Sequence, residues 1–524
     1  MVFIFLFGAA LAGKLFLLQV VKHDFYSALA LGLQKNSPSR VIERGEIFFQ
    51  NHNLPIAANK TVIYLYASPK EIPFNQKEPI AQKLSELVNL DKDFILEKLK
   101  QDTLYQRLKD DLTSEELDKL EKLKLEGVYL RQELRRNYPY EEFAAHLLGF
   151  VNKDGQGQYG VEGYWDEVLK TGEDLHLTID YNIQYQAEKL LKEAAGRLKI
   201  EGGTIIVMQP DSGRLLALAN WPSFDPNRYW EEDLEVFQLD AIQKIFEPGS
   251  IFKPLTLAGA LDLGKITPQT TYLDKGYVKI EGWPEPLYNY DKRVYGEQTM
   301  TNVLEKSINT GAVFAEQQLG HINFLEYIKK FGIFEKTEID LEGEVYSSNQ
   351  DFKRGYEINF ATAAYGQGIE MTPMQIARAF SAIANGGKLV RPYLAERLET
   401  KPQISDNKVI SQSTASKLTA MLVSVVENGF GKAAQIPGYY VAGKTGTAQM
   451  SFSALGLGQR GYSEKTWQSF VGFVPAFDPE FLILVKLNDP ATRTAEYSAV
   501  PVFQKLAKYI IDYYKIPPDY EVSK

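Results

Sequence analysis

At 524 residues the chain is too long for one ordinary folding unit, and two or three are expected. Its 44% hydrophobic and 24% charged content is that of globular protein, and a net charge of -9 argues against nucleic acid as a partner, because a phosphate binder carries a basic face. The absence of cysteine excludes disulfide scaffolds, thiol catalysis and thiolate metal sites, the five histidines lack metal-ligand spacing, and no glycine-rich phosphate loop occurs, so neither metal nor cofactor is expected.

In chain order, residues 1–21, "MVFIFLFGAALAGKLFLLQVV", form an apolar run that would match a hydrocarbon core of about 30 Å as a helix. The expectation is an uncleaved transmembrane anchor, with Lys14 past mid-span and free to snorkel. The alternative is a signal peptide cut near Ala10-Leu11-Ala12. Either sends the bulk of the chain outside the cytoplasm. Residues 22–175 are charged and mixed: short strands around Asn51-His52-Asn53, then, after Pro79, the helical patterns "IAQKLSELV", "DFILEKLK" and "SEELDKLEKLK". The last carries a capping box, Thr113 with Glu116. Nothing there is catalytic, and a spacer or docking domain is expected.

From residue 176 the texture changes. A strand and a long amphipathic helix, "DYNIQYQAEKLLKEAAGRL", lead to a hairpin of Thr204–Met208 and Arg214–Ala219. Residues 250 to about 430 are rich in helical patterns, three strand-like runs follow ("GYYVAGKTGTAQM", "SFVGFVPA", "FLILVKLND"), and "VFQKLAKYIIDYYK" is again helical. Strands at both ends of a helical middle imply an α+β fold over 176–516, with 517–524 as a tail.

One constellation carries chemistry. In "FEPGSIFKP", Ser250 and Lys253 stand i, i+3 at the mouth of a helix, about 5–6 Å apart at Cβ. A serine hydroxyl needs a neighbouring base to become a nucleophile, and a lysine serves if burial and nearby positive charge leave it neutral. The helix N-terminus adds free N–H groups for a developing anion. S-x-x-K recurs at Ser405–Lys408, S-x-N occurs at Ser307, Ser347 and Ser405, and K-T-G at Lys170 and Lys444, so context has to choose. Ser405 lies in a polar Asp-Asn turn and Lys170 in a helix-ending loop, whereas Lys444-Thr445-Gly446-Thr447 lies in a strand pattern whose edge an extended peptide could pair with. Ser307 and Asn309 fall at a helix break.

The surviving order, S-x-x-K then S-x-N then K-T-G, is the signature of penicillin-binding proteins and class A β-lactamases. With "RRNYPYEEFAAHLLGFVNKDGQGQYGVEGYWDEVLKTGEDLHLTID", "WPSFDPNRY", "YGQGIEMTPMQIARAFSAIANGG" and "SFVGFVPAFDPE", the chain resembles a class B penicillin-binding protein, a peptidoglycan D,D-transpeptidase, most like the cell-division branch. Where that family usually has a D-R-N-G turn after "RGEI", this chain has "FFQNHN". The resemblance implies a penicillin-recognising serine transpeptidase fold: a central antiparallel sheet with flanking helices and a helical subdomain, on an elongated pedestal of dimerisation type at 22–175. It implies Ser250 as nucleophile toward D-Ala-D-Ala stem peptides, Lys253 as its base and Ser307 as proton relay. Asn309 would hold the substrate amide and orient Lys253, Lys444 would supply positive field, and Thr445, Gly446 and Thr447 would bind substrate, with the threonines on its carboxylate. The backbone N–H groups of Ser250 and Thr447 would form the oxyanion hole. Implied partners are stem peptides as donor and amine acceptor, β-lactams as covalent inhibitors, a membrane glycan polymerase of the SEDS type and division proteins. The implied location is the plasma (inner) membrane, single-pass, with the catalytic domain extracytoplasmic. The alternatives are a β-lactamase or D,D-carboxypeptidase on the same fold, for which Glu342 and Glu344 are candidate acids, a β-lactam sensor, or a non-catalytic division scaffold.

Overall fold

The computed structural model describes residues 7–8, 14–15, 43–51, 53–397, 408–459 and 461–521. Most of the expected anchor at 1–21, and Ser405 with its turn, lie outside the described residues. No helix among the described residues is long and apolar enough to cross a membrane.

Residues 58–137 make the body of one compact unit. Strand β1 (Ala58–Ala67) is followed by helices α1 (Phe74–Val88) and α2 (Lys92–Lys100), strand β2 (Gln106–Lys109), helix α3 (Ser114–Leu123) and strand β3 (Val128–Asn137). The sheet order is β2-β1-β3, antiparallel, and β1 pairs with β3 along its length, from Ala58 opposite Asn137 to Ala67 opposite Val128. Helices α1 and α2 place Ala81, Leu84, Val88, Ile95 and Leu99 in one core with Leu65 and Ala67, the i, i+3, i+4 spacing of a one-sided helix. The capping box forms: Glu116 N donates to Thr113 Oγ1 at 3.3 Å and Thr113 N to Glu116 Oε2 at 3.0 Å. Helix α1 begins at Phe74, ahead of Pro79, so the expectation of a start after the proline is corrected. In the second turn the missing N–H forgoes a single hydrogen bond.

The second unit comprises residues 46–57, 138–169 and 173–524. Residues 138–169, read in the sequence with the pedestal, contribute Leu147, Leu148, Phe150, Val161 and Trp165 to its main core. There Phe150 stacks on Tyr229 with ring centroids 4.2 Å apart.

The centre of this unit is a five-stranded antiparallel sheet. Its strands are β4 (Gly202–Met208), β5 (Leu215–Trp221), β8 (Ala442–Ser451), β9 (Tyr462–Val474) and β10 (Phe481–Asn488), in the order β8-β9-β10-β4-β5. A short ladder of β6 (Thr271–Asp274) and β7 (Gly296–Thr299) stands apart from it. Because side chains alternate along a strand, Ile205, Val207, Ile483 and Val485 enter one core while Ile206, Met208, Leu482 and Leu484 enter the other. That two-sided burial is why these segments read as continuous apolar runs rather than alternating ones. One face is covered by α4 (Tyr181–Leu198) and by α10 (Ala499–Tyr514), which buries Val500, Phe503, Leu506, Ala507, Ile510 and Ile511. Each of these side chains except that of Ala507 contributes about 1.5–3 kcal/mol. The other face carries α5 (Lys253–Asp262), α6 (Met300–Glu305), α7 (Asn309–Leu319), α8 (Pro373–Ala384) and α9 (Gln412–Asn428). The segment after α10 docks back: Tyr440 N donates to Asp519 Oδ2 at 2.7 Å and Asp519 N to Gly438 O at 2.8 Å.

Candidate active site

Ser250 lies in a tight turn, Gly249–Phe252, that runs directly into α5. Two glycines make that turn possible. Gly249 has φ +57°, and a Cβ on it would sit 2.9 Å from the Ala448 Cβ of β8. Gly366 has φ +83°, and a Cβ there would fall 2.1 Å from Gly249 O. In place of side chains, Gly249 N donates to Gly366 O at 2.9 Å, so the Ser250 turn is clamped between the sheet edge and the "YGQG" turn.

Lys253, the first residue of α5, is fully buried, with Nζ 2.9 Å from Ser250 Oγ. Ser307 occupies the break between α6 and α7 with φ 52°, a left-handed conformation that ends one helix and turns its carbonyl and hydroxyl toward Lys253. Lys253 Nζ is 2.6 Å from Ser307 O and 3.2 Å from Ser307 Oγ. Lys444, on edge strand β8 and also fully buried, closes the set with Nζ 3.0 Å from the same Oγ. It also donates to Thr445 O at 3.0 Å and Thr445 Oγ1 at 3.3 Å. Motifs spread over nearly 200 residues of sequence thus converge on two hydroxyls and two amines.

The electrostatics suit proton transfer. Burial, and then the charge of Lys444, hold the Lys253 amine well below the ordinary lysine range, while burial pushes Lys444 down to about 7. An amine that is neutral near neutral pH can take a hydroxyl proton, and an ammonium beside it stabilises the alkoxide being formed.

Gly446 brings β8 against the Ser250 turn: a Cβ there would lie 2.6 Å from Ser469 Oγ, 2.9 Å from Ile251 Cγ2 and 3.1 Å from Pro248 O. The Thr447 hydroxyl accepts from Ala495 N at 3.2 Å. Asn309, the first residue of α7, donates from Nδ2 to Tyr288 O at 3.1 Å. Among the described residues, the hydrogen bonds of Lys253 Nζ run to Ser250 and Ser307, so the expected orienting contact from Asn309 is not made. Glu344 is committed elsewhere, accepting from Thr337 N at 2.7 Å, Thr337 Oγ1 at 2.5 Å and Glu338 N at 3.0 Å. Asn349 of the rival S-x-N bonds the backbone of Glu370 instead.

Sequence reasoning missed two features of the rim. Glu247, just before the Pro-Gly turn, is buried and accepts from Tyr462 OH at 2.9 Å, and burial raises its carboxyl to about 7. Arg493, in the loop after β10, pairs with Asp291. Neither pair has a motif, because each joins residues some 200 positions apart.

Comparison with known proteins agrees with this geometry. Residues 203–508 match the family model described as the penicillin binding protein transpeptidase domain, and residues 40–176 match that of the penicillin-binding protein dimerisation domain. Stage V sporulation protein D of Bacillus subtilis (strain 168) is 31% identical over 504 residues, covering 87% of this chain and 76% of that one. Peptidoglycan D,D-transpeptidase FtsI of Escherichia coli (strain K12) is 28% identical over 550 residues, covering 98% and 90%. A crystal structure of penicillin binding protein 3 from Mycobacterium tuberculosis, complexed with aztreonam, shares the fold with a TM-score of 0.69 at 24% identity, over 92% of this chain and 98% of the other.

Proposed function

The chain belongs to the penicillin-binding-protein transpeptidase family, and on that premise we propose that Ser250 is the acyl-accepting nucleophile of a peptidoglycan D,D-transpeptidase serving septal wall synthesis. The observation that carries this reading is the shared hydroxyl. Ser307 Oγ lies within 3.2 Å of both lysine nitrogens, and Lys253 lies 2.9 Å from the nucleophile.

The steps follow from those distances. Ser250 Oγ attacks the carbonyl carbon of the penultimate D-Ala, and its proton passes to the neutral Lys253 amine. The carbonyl becomes an oxyanion, which the Ser250 and Thr447 N–H groups receive; losing one such donor costs about 2.7–4 kcal/mol. Collapse breaks the D-Ala-D-Ala peptide bond. The departing amine takes its proton through Ser307, and the terminal D-Ala leaves. An amine of a neighbouring stem peptide then attacks the ester, regenerates Ser250 and forms the cross-link. Thr445 and Thr447 bind the substrate carboxylate in the positive field of Lys444, and Asn309, tied to Tyr288, frames the substrate amide. A β-lactam presents a strained amide to the same serine and stays attached as a slowly hydrolysed ester. The placement of Glu344 supports transfer over hydrolysis, since its lone pairs are held by the 337–338 backbone and the Thr337 hydroxyl.

The apolar run at 1–21 supports a single-pass anchor in the plasma membrane with the catalytic unit outside the cytoplasm. The match to the penicillin-binding-protein dimerisation and transpeptidase domains supports a membrane glycan polymerase of the SEDS type, with division proteins, as partner.

The test is acylation of the full-length chain by a fluorescent penicillin, read on a denaturing gel beside Ser250→Ala. A stable labelled band that the substitution abolishes is expected. Rapid turnover without an adduct would mean a β-lactamase. Folded protein that neither reacts nor turns over would leave a scaffold.

A further inference from the structure

Two walls border the proposed carboxylate subsite, and one side chain links them. On the strand side, Ala495 N holds the 489–497 loop to the Thr447 hydroxyl at 3.2 Å. On the helix side, the turn segment 288–295, just ahead of β7, is fastened to α7. Asn309 Nδ2 donates to Tyr288 O at 3.1 Å and Thr310 N to Asn289 Oδ1 at 3.1 Å. The buried Asp274 carboxylate gathers Thr310 Oγ1 at 2.6 Å, Tyr295 N at 2.8 Å and Asn289 Nδ2 at 3.0 Å. Arg493, two residues from Ala495, reaches across: Nη2 donates to both Asp291 oxygens at 2.9 and 2.8 Å, and Nε to Tyr290 OH at 3.1 Å.

We propose that Arg493 is a specificity-determining residue that binds the terminal carboxylate of the peptidyl-D-Ala-D-Ala donor, with Asp291 occupying its guanidinium until that carboxylate displaces it. The inference rests on the acyl-serine reading above and deepens it. An intramolecular carboxylate already sits where the guanidinium can take one, and Arg493 is two residues along the chain from the Ala495 N–H that holds the Thr447 hydroxyl. The exchange is easy, because the pair is exposed, 70% at Arg493 and 34% at Asp291, and exposed ion pairs are weak. A substrate carboxylate tethered in the cleft competes at high effective concentration. The turn that carries Asp291 also gives little resistance: Asp291 and Lys292 both hold left-handed backbone, φ 56° and 54°, which costs strain in residues other than glycine. An arginine fits the role better than the cleft lysines do. Its guanidinium stays charged, whereas burial depresses both Lys253 and Lys444.

Two variants that break the same ion pair separate this role from the others. The probes are two benzoyl-D-alanyl thioesters, one with a leaving group ending in carboxylate and one ending in carboxamide, and the readout is the second-order rate of Ser250 acylation in the full-length chain. Arg493→Gln is expected to slow the carboxylate substrate by about tenfold, the scale of one charge-assisted contact, and to leave the carboxamide within about twofold. Asp291→Asn is expected to hold or raise the carboxylate rate. Equal losses on both substrates in both variants would make the pair a structural brace and overturn the proposal. Equal gains would make it a passive gate, and no change in either would make it a surface contact; each overturns the proposal too. If neither thioester nor penicillin acylates Ser250 in the unsubstituted chain, the acyl-serine reading falls and takes this inference with it.

Discussion

Lys253 and Lys444 meet at one hydroxyl, their Nζ atoms 3.2 and 3.0 Å from Ser307 Oγ. Two amines so placed, both buried, cannot comfortably be charged together, and the positive charge of Lys444 is part of what keeps Lys253 neutral. In Lys444→Ala that charge is gone, so the Lys253 pKa rises toward the ordinary lysine value. The acid limb of the acylation rate then moves to higher pH. Penicillin acylation rates measured across pH check the position of the limb rather than its height, and a limb that stays in place would mean the two lysines are not coupled.

Ser307→Ala removes the hydroxyl both lysines share and leaves the Ser250–Lys253 contact in place. Acylation by penicillin is expected to fall by about 10²–10⁴, the usual contribution of a positioned proton carrier. Thermal unfolding should change little, because Ser307 is only partly buried and its helix break is fixed by backbone bonds, Ser307 N to Leu304 O at 3.3 Å and Ile308 N to Val303 O at 2.9 Å. A large loss of Tm would show that Ser307 acts on the fold instead.

Gly446→Ala places a methyl against Ile251, Ser469 and the Pro248 carbonyl, so β8 and the Ser250 turn must separate. Over-packing of this kind costs about 1–3 kcal/mol, and a displacement near 1 Å costs about 10²-fold in rate. Gly196→Ala, in α4 with open space around it, is the control: it should stabilise the fold by up to about 1 kcal/mol. Urea unfolding with acylation rates on both variants checks the pair.

Glu247 makes stability depend on pH. Its carboxyl is raised from 4.5 to about 7 in the folded chain, chiefly by burial, so between those values the folded state holds a proton that the unfolded state has lost. Stability from this group therefore falls as pH rises from about 4.5 to 7 and is flat above, by about 3 kcal/mol in all. Glu247→Gln should remove that slope, as read from urea midpoints at pH 5 and pH 8. An unaltered slope would place the titration elsewhere.

The sequence made the candidate set legible because Ser250–Lys253, Ser307–Asn309 and Lys444–Thr447 each announce themselves over three or four residues, and it made β4, β10 and α10 legible because they have clean apolar patterns. It did not make legible what depends on distant partners. The packing of Phe150 against Phe224 and Phe237 is one such case, because those rings lie far along the chain. The side-chain direction of Asn309 is set by Tyr288, which no local rule connects to it. The Glu247–Tyr462 and Arg493–Asp291 pairs are common residue types with no spacing to notice.

The seam between β4 and β10 pairs Met208 with Leu482 and Gly202 with Asn488, strands separated by more than half the chain. As the polypeptide leaves the ribosome, the β4–β5 hairpin and the Ser250 turn exist long before the strand that completes them. Until residue 481 arrives the hairpin presents a bare, strongly apolar edge, the kind that pairs with wrong neighbours. Such distant pairing folds slowly. A transcript broken even late, before β10, therefore yields two separate hairpins, β4–β5 and β8–β9, with no strand to join them into one sheet.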